Sequence, residues 1–397
     1  MFLCLIQDEF GRLHQNCASF SKVSSPSKFG CLLDGVLYDT PKLPFVLRKP
    51  VNYVLKKDTA KKSKRVLENN VVTWEERQYA YYSTPRAGCP GACMILTKRA
   101  TMDLASQLRY DKEYVERFPD PKQRGSVTHP HFVEYIQGFP KDWTNPHIAM
   151  QSPARKQSDR LKTIDLFSGI GGLTVASDHF LQTIQYCEVD PDATAVLKAR
   201  MADGSIDTAP IHKDIKTLDA TKIDADVVIG GFPCQDVSTM GKRKGFGGSK
   251  SVLFFEAMRV AKECNAKVIF FENVKGIINC GGGSVFRNIV TELHTAGYDF
   301  KFNIVEACHA GAPHRRARFF LVALRRDLIP LQRSAPLPPA PSVCLRHNTF
   351  WNAPFPLVQE RMLMRMTKEN KARLKQLGNV VCPLQGRLAM RCLVPGL

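Results

Sequence analysis

The chain has 397 residues, 44% of them hydrophobic, which is enough for a substantial core and excludes a wholly disordered protein. No apolar stretch approaches the roughly 20 residues of a membrane span, and the opening sequence MFLCLIQDEF has neither a basic lead nor a cleavage-like site, so we expect no membrane association and no secretory signal. Lysines and arginines exceed acidic residues by 19, which favours a polyanionic partner over a neutral one.

The cysteines and one basic run indicate an intracellular protein. The 13 cysteines are odd in number and scattered, and the close pair Cys89 and Cys93 has no partner pair at zinc-ligand spacing. We therefore expect reduced thiols and no metal site. The run KKSKR (61–65) makes the nucleus the expected location in a eukaryote and the cytoplasm the expected one otherwise.

Residues 1–145 lack long helical patterns and are rich in proline, serine, lysine and aromatic residues, so we expect short strands and long loops there. Within this region, residues 48–65 carry eight lysines or arginines against one acid, Asp58. Such a run is typical of a phosphate-contacting strip, a nuclear-targeting signal or a solvated loop, and the sequence does not separate these. A polar and basic linker, 146–162, follows.

Residues 163–327 alternate between short β-rich runs and helical patterns, which predicts βα units. The β-rich runs are 163–167, 183–189, 226–231, 267–274, 300–307 and 318–324. An apolar stripe at Phe286, Ile289 and Leu293 predicts a helix that Gly297 ends. Because several runs are apolar on both faces, the expected fold is α/β, a Rossmann-like doubly wound and mostly parallel sheet. Five prolines then mark 328–347 as a second linker before the segment 348–397.

The stretch DLFSGIGG (165–172) reads as a strand, a glycine turn and a helix. Glycine lets the backbone approach a ligand, and Glu188, at the end of the next strand, is placed to accept from ribose hydroxyls. Asp214 follows the third strand as a further polar position. A lone glycine turn as often merely closes a loop, but together these residues predict an adenosine-containing cofactor whose type stays open.

Cys234 stands in GGFPCQDVS (230–238), where an apolar run ends. A thiolate is a strong nucleophile once nearby positive charge lowers its pKa. The loop 238–250 supplies Lys242, Arg243 and four glycines, so it can act as a mobile basic lid. The alternative interpretation is an inert thiol.

Two further stretches carry charge at the ends of apolar runs. Glu272, in FFENVKG, is poorly solvated there, which raises the pKa of a carboxyl and lets it donate a proton; the alternative is a helix cap or an ion-pair partner. In APHRRARFF, Arg316 and Arg318 are expected to project guanidinium groups from the sheet edge, and the alternative is a basic surface patch.

These motifs, in this order, resemble those of the cytosine-5 DNA methyltransferases. DLFSGIGG resembles the cofactor loop, GGFPCQDVS the nucleophile motif, ENV the acid motif, HRRARFF the arginine motif, and QLGNVVCP (376–383) the late motif that closes the cofactor site. The resemblance implies S-adenosylmethionine as cofactor, DNA as partner, and a catalytic domain, 163–327, that 348–397 completes. We expect a monomer.

The resemblance also implies a role for each matched residue. Cys234 is implied to add to carbon-6 of a flipped-out cytosine, Glu272 to protonate or hydrogen-bond nitrogen-3, and Arg318, helped by Arg316, to hold the carbonyl oxygen and the carboxylate. The implied cofactor contacts are Phe167, Ser168, Gly169, Gly171, Gly172, Glu188, Val189, Asp214, Pro233 and Asn379. The implied DNA contacts are Gln235, Ser238, Lys242 and Arg243.

The chain departs from the family pattern in two ways. His314 stands where the arginine motif usually has glutamine, and fewer than 60 residues separate Arg318 from Gly378, too few for a recognition domain. STPRAG (83–88), THPHFVEYIQGFPKDWT (128–144) and, more faintly, residues 29–44 resemble segments of that region. We therefore expect the target-recognition domain at 1–145, ahead of the catalytic domain; the alternative is an unrelated leader or a gene-model error.

Three other functions compete with DNA methylation. The first is a tRNA cytosine-5 methyltransferase, although the cysteine-phenylalanine-threonine signature of that branch is missing. The second is a catalytically inactive DNA-binding paralogue, which the intact Cys234, Glu272 and Arg318 argue against. The third is a nicotinamide dehydrogenase, in which the cysteine motif would have no role.

Overall fold

A computed structural model of the chain describes its catalytic-motif region almost continuously and the N-terminal region in short pieces. The described residues are 4–7, 13–16, 29–33, 36–38, 66–68, 71–73, 84–85, 104–105, 116, 118–120, 125, 127–151, 160–233, 252–328 and 363–393.

The secondary structure alternates between strands and helices from residue 161 onward. The strands are β1 (Cys4–Gln7), β2 (Leu13–Asn16), β3 (Phe29–Leu33), β4 (Val36–Tyr38), β5 (Val66–Glu68), β6 (Val71–Thr73), β7 (Val127–Thr128), β8 (Leu161–Leu166), β9 (Leu181–Cys187), β10 (Ile211–His212), β11 (Val227–Gly231), β12 (Val268–Val274), β13 (Tyr298–Val305), β14 (Arg318–Arg325) and β15 (Leu363–Met364). The helices are α1 (Pro130–Gln137), α2 (Gly172–Ser177), α3 (Pro191–Ala202), α4 (Val252–Glu263), α5 (Ser284–Thr295), α6 (Lys368–Asn379) and α7 (Pro383–Leu393).

Nine of the described strands form one sheet, in the spatial order β10-β9-β8-β11-β12-β14-β13-β3-β4. The first five pair in parallel, whereas β14 and β3 run antiparallel to both of their neighbours. Seven of the nine strands therefore point the same way. The α/β class and the mostly parallel sheet are confirmed. The six predicted β-rich runs correspond to β8, β9, β11, β12, β13 and β14.

Helices cover both faces of this sheet. Successive strand residues point to opposite faces, so that Val228 and Phe271 pack with α4 and α5 while Ile229 and Phe270 pack with α2 and α7. The predicted helical stripe is the buried face of α5, and Gly297 follows it with φ +84°. Burial on both faces explains why the strands read as continuously apolar.

A third apolar cluster joins the segment 127–150 to the rest of the molecule. Phe132 and Ile136 of α1 pack with Leu197 of α3 and Leu377 of α6, and β7 pairs with β15. The segment therefore shares a core with elements that lie after residue 160. The boundaries at 145/146 and 162/163 stay predictions, as do 327/328 and 347/348.

None of the described helices combines the length and apolar character that a membrane crossing needs.

Candidate active site

The predicted site residues follow strand ends that lie together at one edge of the sheet. β8, β11 and β12 are in register with Leu166 opposite Gly230 and Gly231 opposite Glu272. The carboxyl ends of parallel neighbours meet at the same edge, which is where ligands bind in open α/β sheets. The turn after β8, the residues after β9 and β10, Pro233 after β11, and Glu272 in β12 are thus brought to one edge.

Glu272 and Arg318 form a mostly buried ion pair on neighbouring strands. Arg318 Nε lies 2.9 Å from Glu272 Oε1, and the two side chains are 17% and 14% exposed. Burial raises the pKa of Glu272, with Arg318 and Arg316 opposing the shift, and burial lowers the pKa of Arg318. A carboxyl in this setting can hold a proton and release it to a bound group.

Arg316 has different partners from Arg318. Its guanidinium donates to the carbonyl oxygens of Pro85, Gly378 and Val380, at 3.2, 3.0 and 2.6 Å, and its backbone N–H donates to Thr84 Oγ1. Burial, and secondarily the charge of Arg318, lower its pKa to about 9. Nη2 thus holds the backbone on either side of Asn379, and Nη1 holds the backbone at Pro85. The predicted role of Arg316 at the base stays a prediction.

The end of β11 is held by a residue that sequence reasoning left without a role. Asn273 Nδ2 donates to the carbonyl oxygen of Phe232 at 3.0 Å, and Asn273 is buried. This bond fixes the backbone that leads into Pro233. Cys234 and the predicted DNA contacts Gln235, Ser238, Lys242 and Arg243 lie outside the described residues.

The glycine turn has an unusual backbone that its neighbours hold in place. Phe167, Gly169 and Gly171 have φ values of +54°, +55° and +85°, a region that costs a non-glycine residue about 1–3 kcal/mol and is common at functional sites. Gly169 N–H donates to Glu188 Oε2 at 2.7 Å, and Ser168 Oγ donates to the carbonyl oxygen of Asp165. Burial raises the pKa of Glu188.

The residues around this turn fit an adenosine-containing ligand. A Cβ placed on Gly169 would meet no described atom within 4 Å, so the backbone there has open space for a ligand. Glu188 and Asp214 stand at adjoining strand ends, because β9 pairs with β10, and the Val189 side chain is 64% exposed beside them. DLFSGIGG has no lysine, as expected for a ligand without phosphate. Asn379, the last residue of α6, is exposed.

Two buried groups lie behind the site. Asp165 Oδ2 accepts from Thr174 Oγ1 at 2.5 Å, and burial raises the pKa of Asp165 to about 7. His314 is fully buried; burial, and secondarily the charge of Arg316, lower its pKa to about 3, so the ring is neutral. The departure from glutamine at this position therefore adds no charge to the site.

One group of side chains has the spacing of metal ligands within the described parts of the chain. Glu306, Cys308 and His309 each offer a ligand atom within 4.8 Å of the others. Arg315 pairs with both oxygens of Glu306, and His309 Nδ1 accepts from the Glu306 backbone N–H. These atoms are already engaged in closing the turn before β14, so we assign them a structural role.

Sequence reasoning also missed the side chains that join the segment 127–150 to the site. Trp143 Nε1 donates to the carbonyl oxygen of Ile170, in the glycine turn, at 2.9 Å. Arg200 is fully buried against the same segment. The sequence does contain a signal for the burial of Arg200. It lies at i+7, i+4 and i+3 from Ala193, Val196 and Leu197, and so on the same buried face of α3.

The part of the chain that contains this site is similar to known proteins. A family model described as C-5 cytosine-specific DNA methylase matches residues 161–379. The type II methyltransferase M.BsuFI of Bacillus subtilis is 33% identical over 171 residues, 43% of this chain and 40% of that protein. M.Eco47II of Escherichia coli is 34% identical over 181 residues, 44% and 42%. M.HhaI of Haemophilus parahaemolyticus is 32% identical over 174 residues, 44% and 52%. The chain thus spans about half or less of each relative.

Proposed function

The chain belongs to the C-5 cytosine-specific DNA methylase family, and from this premise we propose that it transfers a methyl group from S-adenosylmethionine to carbon-5 of cytosine in DNA. The observation that carries the proposal is the mostly buried pair of Glu272 and Arg318, with 2.9 Å between Oε1 and Nε. Glu272 lies in register with Gly231, three positions before Cys234 in the sequence. A proton donor and a fixed cation therefore lie at the sheet edge where β11, the strand that precedes Cys234 in the sequence, ends.

Cys234 is the proposed nucleophile. Carbon-5 of cytosine is a weak nucleophile, and addition of the Cys234 thiolate to carbon-6 turns the ring into an enamine whose electron pair is directed to carbon-5. When bound, S-adenosylmethionine supplies an electrophilic methyl group. Loss of the carbon-5 proton then re-forms the double bond between carbon-5 and carbon-6 and expels the sulfur, so Cys234 is regenerated as a thiolate. A proton that nitrogen-3 has taken from Glu272 returns to that carboxylate at the same stage.

Glu272 and Arg318 stabilise the ring while the sulfur is attached. Thiolate addition places negative charge on the ring, and a carboxyl with a raised pKa can donate its proton to nitrogen-3. Arg318 already donates toward Glu272, and the remaining N–H groups of a guanidinium can donate to the carbonyl oxygen of the base. Arg316 contributes by holding the backbone on both sides of Asn379.

The remaining assignments concern the partners of the site. The residues proposed to bind the cofactor are Phe167, Ser168, Gly169, Gly171, Gly172, Glu188, Val189, Asp214, Pro233 and Asn379. The target base must be flipped out of the duplex, at a cost of a few kcal/mol. The residues proposed to contact the DNA around it are Gln235, Ser238, Lys242 and Arg243. Recognition of the target is assigned to residues 1–145, supported by the contact of Thr84 and Pro85 with Arg316. The monomeric state and the nuclear location stay predictions.

Transfer of a tritium-labelled methyl group to duplex DNA and to tRNA tests this function. DNA is expected to be labelled, and Cys234→Ser is expected to abolish transfer while binding of the cofactor survives. DNA containing 5-fluorocytosine should trap a covalent complex with the unmodified enzyme only. Labelling of tRNA alone would assign the chain to the tRNA branch, DNA binding without transfer would indicate an inactive paralogue, and turnover by Cys234→Ser would rule out the covalent mechanism.

A further inference from the structure

A tryptophan from outside the matched family region holds the glycine turn. Trp143 lies before residue 161, where the family match begins, and its indole Nε1 donates to the carbonyl oxygen of Ile170 at 2.9 Å. Ile170 stands between Gly169 and Gly171, both of which have positive φ. Trp143 is 3% exposed and Ile170 is 1% exposed, so water does not replace this bond.

The turn is thereby held from two sides. Glu188, at the end of β9, accepts from Gly169 N–H at 2.7 Å, and Trp143 donates to the next carbonyl along the chain. Glu188 belongs to the same βα unit as the turn, whereas Trp143 is separated from Ile170 by the linker residues. The shape of the turn therefore depends on how the segment 127–150 docks.

The indole itself is fixed by buried contacts. The Arg200 guanidinium lies over the Trp143 ring, 5.7 Å from its centroid, and donates to the carbonyl oxygens of Asp142, Asn145 and Ile148. Arg200 Nε also pairs with Asp203 at 3.2 Å. These contacts set the backbone on both sides of the tryptophan, so its ring has a defined position relative to α3.

Contacts with α6 anchor the same segment at a second place. Arg373 donates to Thr144 Oγ1 at 2.8 Å and to Glu134 Oε1 at 3.1 Å, and Gln137 Nε2 donates to the carbonyl oxygen of Leu377 at 2.8 Å. α6 ends at Asn379, a proposed cofactor residue. The segment thus touches both the turn and the helix between which the cofactor is proposed to bind.

We propose that Trp143 is a positioning residue for the cofactor turn, through which the segment 127–150 sets the affinity for S-adenosylmethionine. The assignment rests on the proposed function. Phe167 adopts positive φ, which is strained in a residue other than glycine and needs support from its surroundings. Gly169 and Gly171 adopt positive φ without strain, but they are conformationally permissive and need contacts to hold them in one conformation. Loss of the indole donor leaves a buried carbonyl oxygen without a partner, and such groups are costly. The turn is then expected to relax away from the shape that the ligand needs.

Trp143→Phe tests the proposal, because it keeps an aromatic ring and removes the donor. We expect the dissociation constant for S-adenosylmethionine, measured by calorimetry, to rise about five- to tenfold, which corresponds to the loss of one buried hydrogen bond. The KM for this substrate is expected to rise in parallel, with kcat changed less than about twofold. In the ligand-free protein, the amides of residues 169–172 should exchange with deuterium faster than in the unmodified chain.

Tyr298→Phe is the matched control. It also keeps a ring and removes a donor to a buried carbonyl, that of Ala266 at 2.6 Å, but on β13, away from the turn. It should lower the melting temperature without changing the dissociation constant or the exchange at 169–172. Equal affinity and equal exchange in Trp143→Phe and the unmodified chain would overturn the proposal. If the unmodified chain did not bind S-adenosylmethionine, the proposed function would fail, and exchange at the turn would still decide the role of Trp143.

Discussion

Arg316 and Arg318 lie two positions apart and read alike in the sequence, yet their side chains have different partners. Arg318 pairs with Glu272, as the resemblance to the methyltransferase motifs implies. Arg316 reaches Pro85, Gly378 and Val380, and these lie 231, 62 and 64 positions away. A local sequence pattern can predict that a charged residue stands at a strand end. It cannot predict which distant carbonyl groups that residue will bind, and these decide which of the two arginines faces the ligand.

Asp165 is expected to make the free energy of unfolding depend on pH. Burial raises its pKa from the ordinary value of an aspartate to about 7, so the protonated form favours the folded state. The free energy of unfolding is therefore expected to be highest below the unfolded value and to fall, by up to about 1.4 kcal/mol per pH unit, as the pH rises toward about 7. Urea unfolding at pH 5, 6, 7 and 8 measures this slope.

Two variants separate Asp165 from other titrating groups. Asp165→Asn should flatten the slope whatever its effect on absolute stability. Thr174→Val removes the hydrogen bond that lowers the pKa of Asp165, so the decline should extend to higher pH. Identical slopes in all three proteins would contradict this origin.

At the scale of elements, the strands were predictable and several helix contacts were not. Six strands of the sheet, β8, β9, β11, β12, β13 and β14, coincide with β-rich runs of the sequence, so each of these left a local signal. α1 and α6 bury their apolar stripes against each other although about 240 positions separate the hydrogen-bonded pair Gln137 and Leu377. A local stretch of sequence contains no pattern that indicates a contact over this distance. The resemblance of 127–150 to a recognition segment therefore did not predict where the segment packs.

Gly172 shows how closely α2 approaches the chain after α6. A Cβ at Gly172 would lie 2.6 Å from Val380 Cγ2 and 2.7 Å from the carbonyl oxygen of Val381. Alanine normally favours a helix more than glycine does, so destabilisation by Gly172→Ala would report this contact specifically. We expect a loss of about 1–3 kcal/mol in the free energy of unfolding, measured by urea denaturation, together with weaker cofactor binding.

The double variant Gly172→Ala, Val380→Ala distinguishes side-chain from backbone crowding. It removes the contact with Val380 Cγ2 but keeps the approach to the Val381 carbonyl. Partial recovery is therefore expected. Full recovery would show that only the valine side chain opposes a Cβ at this position, and no loss in the single variant would show that the two segments can separate freely.

At the scale of the whole molecule, described parts of residues 1–150 pack against the family-matched region. β3 extends the sheet beside β13, Thr84 and Pro85 contact Arg316, and 127–150 shares a core with α3 and α6. These contacts join the chain before residue 151 to the family-matched region at three places. They favour one folding unit, in which the proposed recognition region packs against the family-matched region, rather than two domains that only a linker joins.

A protease site inserted between Gln151 and Arg160 tests this view. After cleavage, the two fragments are expected to elute together in gel filtration, because contacts such as those of Arg373 with Glu134 and Thr144 are buried and do not need the covalent connection. Urea should separate them in the same transition that unfolds the sheet. Arg373→Met, which removes two bonds to the segment and keeps a side chain of similar length, should lower the urea concentration at which the cleaved fragments part. Fragments that separated without denaturant would instead establish a domain boundary near residue 145 and leave the glycine turn without its contact to Trp143.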